Sequence, residues 1–361
     1  MRETGDRTPA EIDFAFGLAS RYDHSMPEIS AGNYHAVLTT LSSRRRVLVV
    51  THARPDGDAL GTAAAMVLGM RAKGIDSSVL LFNPLARKYA FIFEANRISH
   101  FDVEKGWPAA VERGSFDALL SVDTGTRSQL PGLDELLAGW KGSKIVVDHH
   151  LTQEDWADLK LVVTDAAAAA EIAADLLRLW GVKFDPAIAT ALYLGISTDT
   201  GWFQFSNTKP HTLRLAAELM EAGVDVERIY RLTYQNERTQ RLTMMARAMG
   251  SLQLLTNHRL AVMSLSKSDF LENAADGGDT ENLVNIPLQV ASVEVSVLLT
   301  QMPEGGPVRV NLRSKGGLDV AAFAQKFNGG GHARAAGLKI DAELADAQRT
   351  ITAALAAALT T

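Results

Sequence analysis

Cysteine is absent from this 361-residue chain, and its absence removes several kinds of chemistry at once. Without thiols the protein can form no disulfide, no cysteine nucleophile and no zinc site built on thiolates. Enzymes that depend on those groups are therefore excluded. A chain without cysteine suits a reducing compartment, and the cytoplasm is the location that we expect.

Long apolar runs and an excess of positive charge are missing as well. No stretch of about 18 uncharged apolar residues occurs, so no transmembrane helix is predicted. The polar start Met1–Asp6 lacks the apolar core of a signal peptide. The formal net charge is −6, whereas a protein that coats long duplex DNA needs a strongly basic surface. We therefore expect neither a membrane nor long duplex DNA as a partner.

Apolar runs that fit strands alternate with helical segments in the first part of the chain. The hydrophobic fraction of 47% is sufficient for proper cores, and the length allows two domains. The alternation predicts an α/β domain with a parallel sheet, and the strands and turns that follow predict a smaller α+β domain. The predicted parts are an N-terminal extension (1–29), the α/β domain (30–236), a linker helix (237–250) and the α+β domain (251–361).

Acidic and imidazole side chains recur where the predicted strands end. The apolar run Ile145–Val147 leads directly into an acid and two histidines. A buried strand seldom ends in three titratable groups unless a charge or a metal satisfies them. Parallel strands deliver their carboxyl ends to one edge of the sheet, where α/β folds bind ligands. The side chains expected to meet there are those of His52, Asp56, Asp58, Asp123, Asp148, His149, His150 and Asp199.

Each of these residues also has a purely structural interpretation. Asp58 could cap the following helix, which is worth about 1 kcal/mol, and Asp123 could form an Asx-turn. Asp199 could end a helix, and the two histidines could lie solvated in a loop. The joint pattern favours metal binding, because converging carboxylates raise one another's pKa unless cations are present. Mixed carboxylate and imidazole ligands suit Mn²⁺, Mg²⁺ or Fe²⁺.

Taken together, these motifs resemble those of the DHH phosphoesterase family. The motifs are His52-x-x-Pro55-Asp56-Gly57-Asp58, the strand-end Asp123, Asp148-His149-His150 and Gly195-x-x-x-Asp199-Thr200-Gly201. The α+β domain resembles the DHH-associated domain, through Val310-Asn311-Leu312-Arg313-Ser314 and Gly329-Gly330-Gly331-His332-x-x-x-Ala336-Gly337. The resemblance covers residues 30–340, and the motifs occur in the order expected for the family. The combination of motifs is therefore specific for this family.

The resemblance implies two divalent cations, first Mn²⁺ with Mg²⁺, Fe²⁺ or Co²⁺ as alternatives, and phosphoester hydrolysis by a hydroxide held between them. The implied ligands of one ion are His52, Asp56 and Asp123. The implied ligands of the other ion are Asp58, Asp123, His149 and Asp199. Asp148 would orient a neighbouring imidazole. His150 would contact the phosphate or protonate the leaving oxygen.

A local excess of basic residues marks the α+β domain. Between Gly305 and Lys339 six basic residues less one acidic residue give a charge of +5. A glycine-rich loop lets backbone N–H groups approach a phosphate, to which an arginine adds charged donors. The alternative is a glycine turn beside a solvated basic strand. With the resemblance, the pattern predicts a substrate-binding set of Arg313, Ser314, Gly329, Gly330, Gly331 and His332.

The function predicted in this way is metal-dependent hydrolysis of short oligoribonucleotides to mononucleotides, of pAp to AMP, or of both. A cyclic di-AMP phosphodiesterase is the alternative within the family. A non-hydrolytic nucleotide sensor is the alternative of another class, and it should lack a metal ligand. An aspartic protease, which the two Asp-Thr-Gly sequences suggest, should be an all-β chain. The family resemblance also implies a homodimer.

Some positions depart from the family pattern without removing a predicted metal ligand. Asn311, Gln153, Asn328 and the run Ala168–Ala170 are of this kind, and none is expected to touch a ligand. They bear on substrate preference more than on activity. Gly57 is expected to permit an unusual turn between its two acidic neighbours. The aromatic residues Trp202, Phe203 and Phe205 are expected to pack within the domain.

Overall fold

Two six-stranded sheets form the framework of the chain in a computed structural model that describes residues 28–106 and 115–360. The chain divides into two units between Asn236 and Glu237, and each unit contains one sheet. Within the described residues no helix is long and apolar enough to cross a membrane. Residues 1–27 of the predicted extension lie outside the described part.

The sheet of the first unit is parallel throughout, in the order β3-β2-β1-β4-β5-β6. Its strands are β1 (Arg46–Val50), β2 (Asp76–Leu81), β3 (His100–Asp102), β4 (Ala118–Val122), β5 (Ser143–Asp148) and β6 (Leu159–Val162). The order reverses between β1 and β4, which are neighbours although β2 and β3 separate them in sequence. Such a switch point is where open α/β sheets bind ligands. The predicted α/β class is confirmed.

Helices cover both faces of this sheet, and the strand residues alternate between two cores. The helices are α1 (Glu28–Ser42), α2 (Gly57–Ala72), α3 (Ala90–Ala95), α4 (Leu133–Leu137), α5 (Ala169–Leu179), α6 (Pro186–Asp199), α7 (Pro210–Glu221) and α8 (Val226–Tyr234). Val47 and Val49 pack into one core, while Leu48 and Val50 pack into the other. Burial on both faces explains why β1 is continuously apolar, since each buried side chain contributes about 1.5–3 kcal/mol.

Glycines bring α2 and α6 into unusually close contact beside the strand ends. A Cβ atom at Gly57 would lie within 3.0 Å of Thr198, and one at Gly61 would lie within 3.0 Å of Ala191 O. Gly57 is the first residue of α2 and has no positive φ, so the expected unusual turn at this residue is wrong. The missing side chain is instead required by helix packing. The left-handed residue of this loop is Arg54, with φ 56°.

The second unit contains a mixed sheet in the order β11-β12-β10-β9-β8-β7. Its strands are β7 (Gln253–Leu255), β8 (Leu260–Leu265), β9 (Val295–Thr300), β10 (Val308–Ser314), β11 (Gly330–His332) and β12 (Ala335–Ile340). Its helices are α9 (Thr239–Gly250), α10 (Lys267–Asn273), α11 (Val320–Gln325) and α12 (Leu344–Thr360). Among the described strands of this sheet only β8 and β9 pair in parallel, so the predicted α+β class is confirmed. Met244 and Ala248 of α9 pack into a core of this unit.

The glycine run before His332 is a strand, where a loop was expected. Gly330–His332 pairs antiparallel with Ala335–Ala336 and Gly337 as an edge hairpin. A Cβ atom at Gly329 or Gly331 would lie within 3.0 Å of the backbone of β12. These two glycines therefore allow close approach of the hairpin backbone, whereas Gly330 faces open space.

Candidate metal centre

Three neighbouring parallel strands bring the predicted ligands to one edge of the first sheet. His52 follows β1, Asp123 follows β4 directly, and Asp148 is the last residue of β5. Asp123 N donates to Val147 O at 2.9 Å, so β4 continues its pairing with β5 into the site. Asp123 has φ 59°, a left-handed conformation that costs a non-glycine residue stability and is frequent at functional sites.

One group of possible ligands consists of His52, Asp56 and Asp123, whose ligand atoms lie within 4.8 Å of one another. His52 Nε2 lies 3.5 Å from Asp123 Oδ2 and 4.0 Å from Asp56 Oδ1. Asp123 is buried, whereas Asp56 is exposed at the rim. The three residues are those that the family resemblance implies for one of the two ions.

A second group consists of Asp58, His149 and Asp199, again with ligand atoms within 4.8 Å of one another. His149 Nε2 lies 3.9 Å from Asp58 Oδ2 and 3.6 Å from Asp199 Oδ2. The same nitrogen is 3.4 Å from Asp123 Oδ1, so Asp123 lies between the two groups. The described structure thus brings together all six predicted ligands.

The two histidine rings are oriented as metal-binding imidazoles are. Nδ1 of His52 lies 3.0 Å from Ala53 O, and Nδ1 of His149 lies 3.3 Å from Ala166 O. A proton on each Nδ1 would donate to these carbonyls, which leaves the Nε2 lone pair directed at the carboxylates. Asp123 Oδ1 and His149 Nε2 are buried and have no hydrogen-bond partner among the described residues. Because buried polar atoms are rarely left unpaired, these atoms fit a bound cation.

Asp58 does not cap the helix that contains it. That role belongs to Asp56, whose Oδ1 accepts from Asp58 N at 3.0 Å and from Ala59 N at 3.1 Å. The buried Asp58 carboxylate instead accepts from Ala169 N at 2.6 Å and Ala170 N at 3.0 Å. It therefore caps α5, whose own N-cap residue is an alanine. The alanine run was expected not to touch a ligand, and this expectation is wrong because its backbone amides hold Asp58.

The site packs acids and bases closely together in a buried environment, which shifts their pKa values. Burial opposes charge on His52 and His149, but the neighbouring carboxylates, above all that of Asp123, together outweigh it and raise the pKa of His52 to about 9 and that of His149 to about 10. Burial raises the pKa of Asp199 to about 6. Burial, together with the charges of Asp123 and Asp199, raises the pKa of Asp58. Divalent cations would replace the protons that such a cluster otherwise retains.

Asp148 and His150 form a hydrogen-bonded pair, and a ring nitrogen of His150 also lies within 4.8 Å of the ligand atoms of Asp123 and His149. Asp148 is fully buried, and its Oδ1 lies 2.8 Å from His150 Nδ1 and accepts from His149 N at 2.8 Å. His150 is half exposed, and the hydrogen bond to Asp148 raises its pKa. Gln153 Nε2 donates to Asp148 Oδ2 at 2.5 Å. Sequence analysis identified Gln153 only as a departure from the family pattern. Its position three residues after His150 was the signal that could have placed its side chain near Asp148.

In the second unit, strand pairing places two of the predicted substrate-binding residues on one face of the sheet. Arg313 of β10 and His332 of β11 both pair with Ala335 of β12. Residues opposite each other point to the same side, and two strand spacings separate them by about 10 Å. Ser314 lies on the other face, where it is buried and its Oγ accepts from Gly316 N at 2.9 Å.

Aromatic rings cluster after Asp199 and mostly pack within the unit. The Trp202 ring lies 5.0 Å from that of Tyr230 and 5.8 Å from that of Tyr234, and Phe203 contacts Tyr193. Packing of this kind agrees with the expectation for Trp202 and Phe203. Phe205 differs, because 59% of the residue is exposed.

Family models match both units of the chain. The model for the DHH family, N-terminal domain, matches residues 46–196, and the model for the DHHA1 domain matches residues 257–359. The first match contains five of the six possible ligands, and Asp199 lies three residues beyond its end. The second match contains Arg313 and His332.

Known proteins with similar sequences carry the name "Bifunctional oligoribonuclease and PAP phosphatase NrnA". The protein of Thermus thermophilus is 32% identical over 292 residues, which cover 81% of this chain and 83% of that protein. The protein of Bacillus subtilis is 24% identical over 309 residues, which cover 84% and 92%.

Among solved structures, an exopolyphosphatase-related protein from Bacteroides fragilis matches with a TM-score of 0.84 at 24% identity. The match covers 90% of this chain and 96% of that chain. An exonuclease RecJ bound to manganese matches with a TM-score of 0.53 at 17% identity, covering 92% and 95%. At these identities the likeness shows a shared fold.

Proposed function

Because this chain belongs to the DHH family of phosphoesterases, we propose that it hydrolyses short oligoribonucleotides to mononucleotides, pAp to AMP, or both. The observation that carries the proposal is the position of the buried Asp123, which belongs to the first ligand group and lies 3.4 Å from His149 of the second. The names of the similar proteins from Thermus thermophilus and Bacillus subtilis support the same two substrates. An enzyme that uses divalent cations to hydrolyse phosphoester bonds accounts for both the ligand groups and the names of the similar proteins.

The proposed ligands form two sets that share one carboxylate. His52, Asp56 and Asp123 would hold one cation, and Asp58, Asp123, His149 and Asp199 would hold the other. When bound, divalent cations supply a nucleophile at neutral pH by lowering the pKa of water, and they neutralise charge on the phosphoryl group. We propose Mn²⁺ as the cation, because the mixed carboxylate and imidazole donors suit it.

His150 is the proposed general acid, and Asp148 holds its ring in place. Asp148 accepts from Nδ1 and favours the protonated imidazole, so Nε2 carries a proton that it can donate to a leaving oxygen. The ring is half exposed, as a group that meets substrate must be, while its partner is fully buried. Asp148 therefore fixes both the tautomer and the orientation of His150.

The second unit contains the residues that we propose for binding anionic groups of a substrate. Arg313 and His332 lie on one sheet face and offer charged or polar donors to a phosphate or terminal nucleotide. The proposed division is a catalytic domain over residues 30–236, a linker over 237–250 and a substrate-binding domain over 251–361. Asn311 and the glycine hairpin are the positions that bear on substrate choice.

A sensor without hydrolytic activity is disfavoured, because all six ligand positions are occupied by carboxylates or imidazoles that meet in two groups. Cyclic di-AMP hydrolysis has less support, since the names of the similar proteins specify oligoribonucleotides and PAP. The homodimer and the cytoplasmic location stay predictions.

A substrate panel tests the proposal. Purified full-length protein would be incubated with Mn²⁺ and, separately, with a dinucleotide, pAp, cyclic di-AMP, longer RNA or pyrophosphate. We expect mononucleotide from the dinucleotide or AMP from pAp, with chelator abolishing both. Hydrolysis of pyrophosphate or cyclic di-AMP alone, or equal rates with and without chelator, would contradict the proposed function.

A further inference from the structure

We propose that Asn207 and Glu171 are positioning residues, which hold the backbone of the segment Ala166–Ala170 so that this segment can orient the cation ligands. The inference rests on the proposed function, because it assumes that the ligand groups bind divalent cations. Neither residue belongs to the ligand groups. Both act through backbone atoms that lie between them and the ligands.

The segment Ala166–Ala170 contacts ligands on two different elements. The carbonyl of Ala166 lies 3.3 Å from His149 Nδ1, and this contact turns His149 Nε2 toward the carboxylates. The amides of Ala169 and Ala170 donate to the two oxygens of Asp58. A small shift of this segment would therefore move an imidazole and a carboxylate at the same time.

Asn207 connects the segment with a third ligand. Its Nδ2 donates to Ala167 O at 2.9 Å and to Asp199 O at 3.2 Å. One amide group thus fixes the distance between the backbone of the alanine segment and the backbone of Asp199. Asn207 is partly buried, so these hydrogen bonds are shielded from competition with bulk water.

Glu171 holds the same residue, Ala167, at its backbone N–H group. Its Oε2 accepts from Ala167 N at 2.6 Å, and only 4% of the residue is exposed. Ala167 is therefore anchored at its N–H group by Glu171 and at its C=O group by Asn207. Alanine side chains cannot form hydrogen bonds, and the N-cap residue Ala168 makes no side-chain cap. Polar groups from outside the run must supply the anchoring.

The expected effect is on cation affinity. Partners that orient metal ligands typically change metal affinity or activity by about 10–100-fold when they are removed. We expect Asn207→Ala and Glu171→Ala to weaken Mn²⁺ binding by a factor in this range. Glu171→Gln keeps an amide oxygen that can accept from Ala167 N, so it should restore most of the affinity that Glu171→Ala loses.

Mn²⁺ titration calorimetry of the chelator-treated full-length chain tests the inference without measuring catalysis. The matched control is Asn96→Ala, because Asn96 Nδ2 also donates to a backbone carbonyl, that of Ile92, at 2.8 Å. Neither Asn96 nor Ile92 belongs to the ligand groups. A role confined to stability would lower the unfolding midpoint of Asn207→Ala and of the control alike, with wild-type affinity retained in both.

Each outcome decides the matter. The inference is supported if Asn207→Ala binds Mn²⁺ more weakly than the wild type while Asn96→Ala binds it equally well. It also requires that Glu171→Gln recover most of the Mn²⁺ affinity that Glu171→Ala loses. Wild-type affinity in a folded Asn207→Ala overturns it, and this variant decides alone if Glu171→Ala fails to fold, as circular dichroism would show. Wild-type protein that does not bind Mn²⁺ overturns the proposed function itself, which is a different result from unchanged variants.

Discussion

Replacement of Asp123 by Asn tests the shared carboxylate most directly. Asp123 is buried, lies within reach of both His52 and His149, and has an oxygen without a hydrogen-bond partner among the described residues. Asparagine keeps the size of the side chain and tolerates the left-handed backbone at φ 59°. The cation-free variant should therefore fold, while both proposed ligand sets, which share Asp123, lose a negative charge.

The size of the expected change in thermal stability follows from the linkage between cation binding and folding. A cation at 100 times its dissociation constant adds about 2.7 kcal/mol to the unfolding free energy, so two sites add about 5 kcal/mol. For a unit of 236 residues, in which 1 kcal/mol corresponds to about 2–4 °C, the wild type should gain about 10–20 °C in Tm. Asp123→Asn should gain less than about 5 °C at the same Mn²⁺ concentration. Asp123→Asn should also lose several kcal/mol of the transition-state stabilisation that bound cations would supply. Its kcat/KM should therefore be at least about 10³-fold lower than that of the wild type.

Thermal unfolding with and without Mn²⁺, followed by initial rates on the dinucleotide, measures both effects. The matched control is Asp117→Asn, since Asp117 directly precedes β4 at its opposite end and accepts from the amides of Arg45 and Arg46 at 2.9 and 3.0 Å. The control should retain the cation-induced shift and the activity. If Asp123→Asn shifted as far as the wild type, or kept its activity, the shared-carboxylate reasoning would be refuted.

Three further predictions concern proton transfer, pH and packing. His150→Ala should lower kcat by about 10²–10⁴-fold, the usual contribution of a general acid, with unchanged Mn²⁺ affinity by calorimetry; a large affinity loss would mean that His150 is a ligand. The pKa values of about 9 for His52 and about 10 for His149 mean that both rings are protonated at pH 7, so Mn²⁺ binding should release protons and tighten as pH rises toward 8.5. Binding heats that do not depend on the ionisation enthalpy of the buffer would contradict this. Gly195→Ala should destabilise the protein by about 1–3 kcal/mol in urea unfolding, because its Cβ would lie 2.6 Å from that of Ala170; an unchanged midpoint would show that the helices can separate.

The sequence was sufficient to predict four adjacent strands of the first sheet and the meeting of the six proposed ligands at its edge, because each signal was local. The runs Val47–Val50 and Ile145–Val147 are continuously apolar, as strands buried on both faces must be. The strands β3, β6, β11 and β12 were not predicted. Leu159–Val162 is interrupted by a lysine, and Gly330–His332 contains no side chain that favours a strand.

Features that depend on distant contacts could not be read from the sequence. Spacing alone favoured Asp58 as the cap of its own helix, but Asp56 has that role and Asp58 caps α5. Gly57 was assigned to a turn, because nothing local reveals that Thr198 would lie against its Cβ. Glu171 and Asn207 were overlooked for the same reason, since they contact the site only through the backbone of an alanine run.

The remote cap by Asp58 also has a consequence for hydrogen exchange. The first turn of a helix usually frays, and its amide protons exchange quickly because they have no partner within the helix. In α5 the amides of Ala169 and Ala170 donate to a fully buried carboxylate that comes from α2. Opening this turn would expose the Asp58 carboxylate, so these two amide protons exchange only when the site itself opens. We therefore expect the beginning of α5 to be among the slowest-exchanging parts of the helix, so that its exchange rate would report on the integrity of the proposed metal centre.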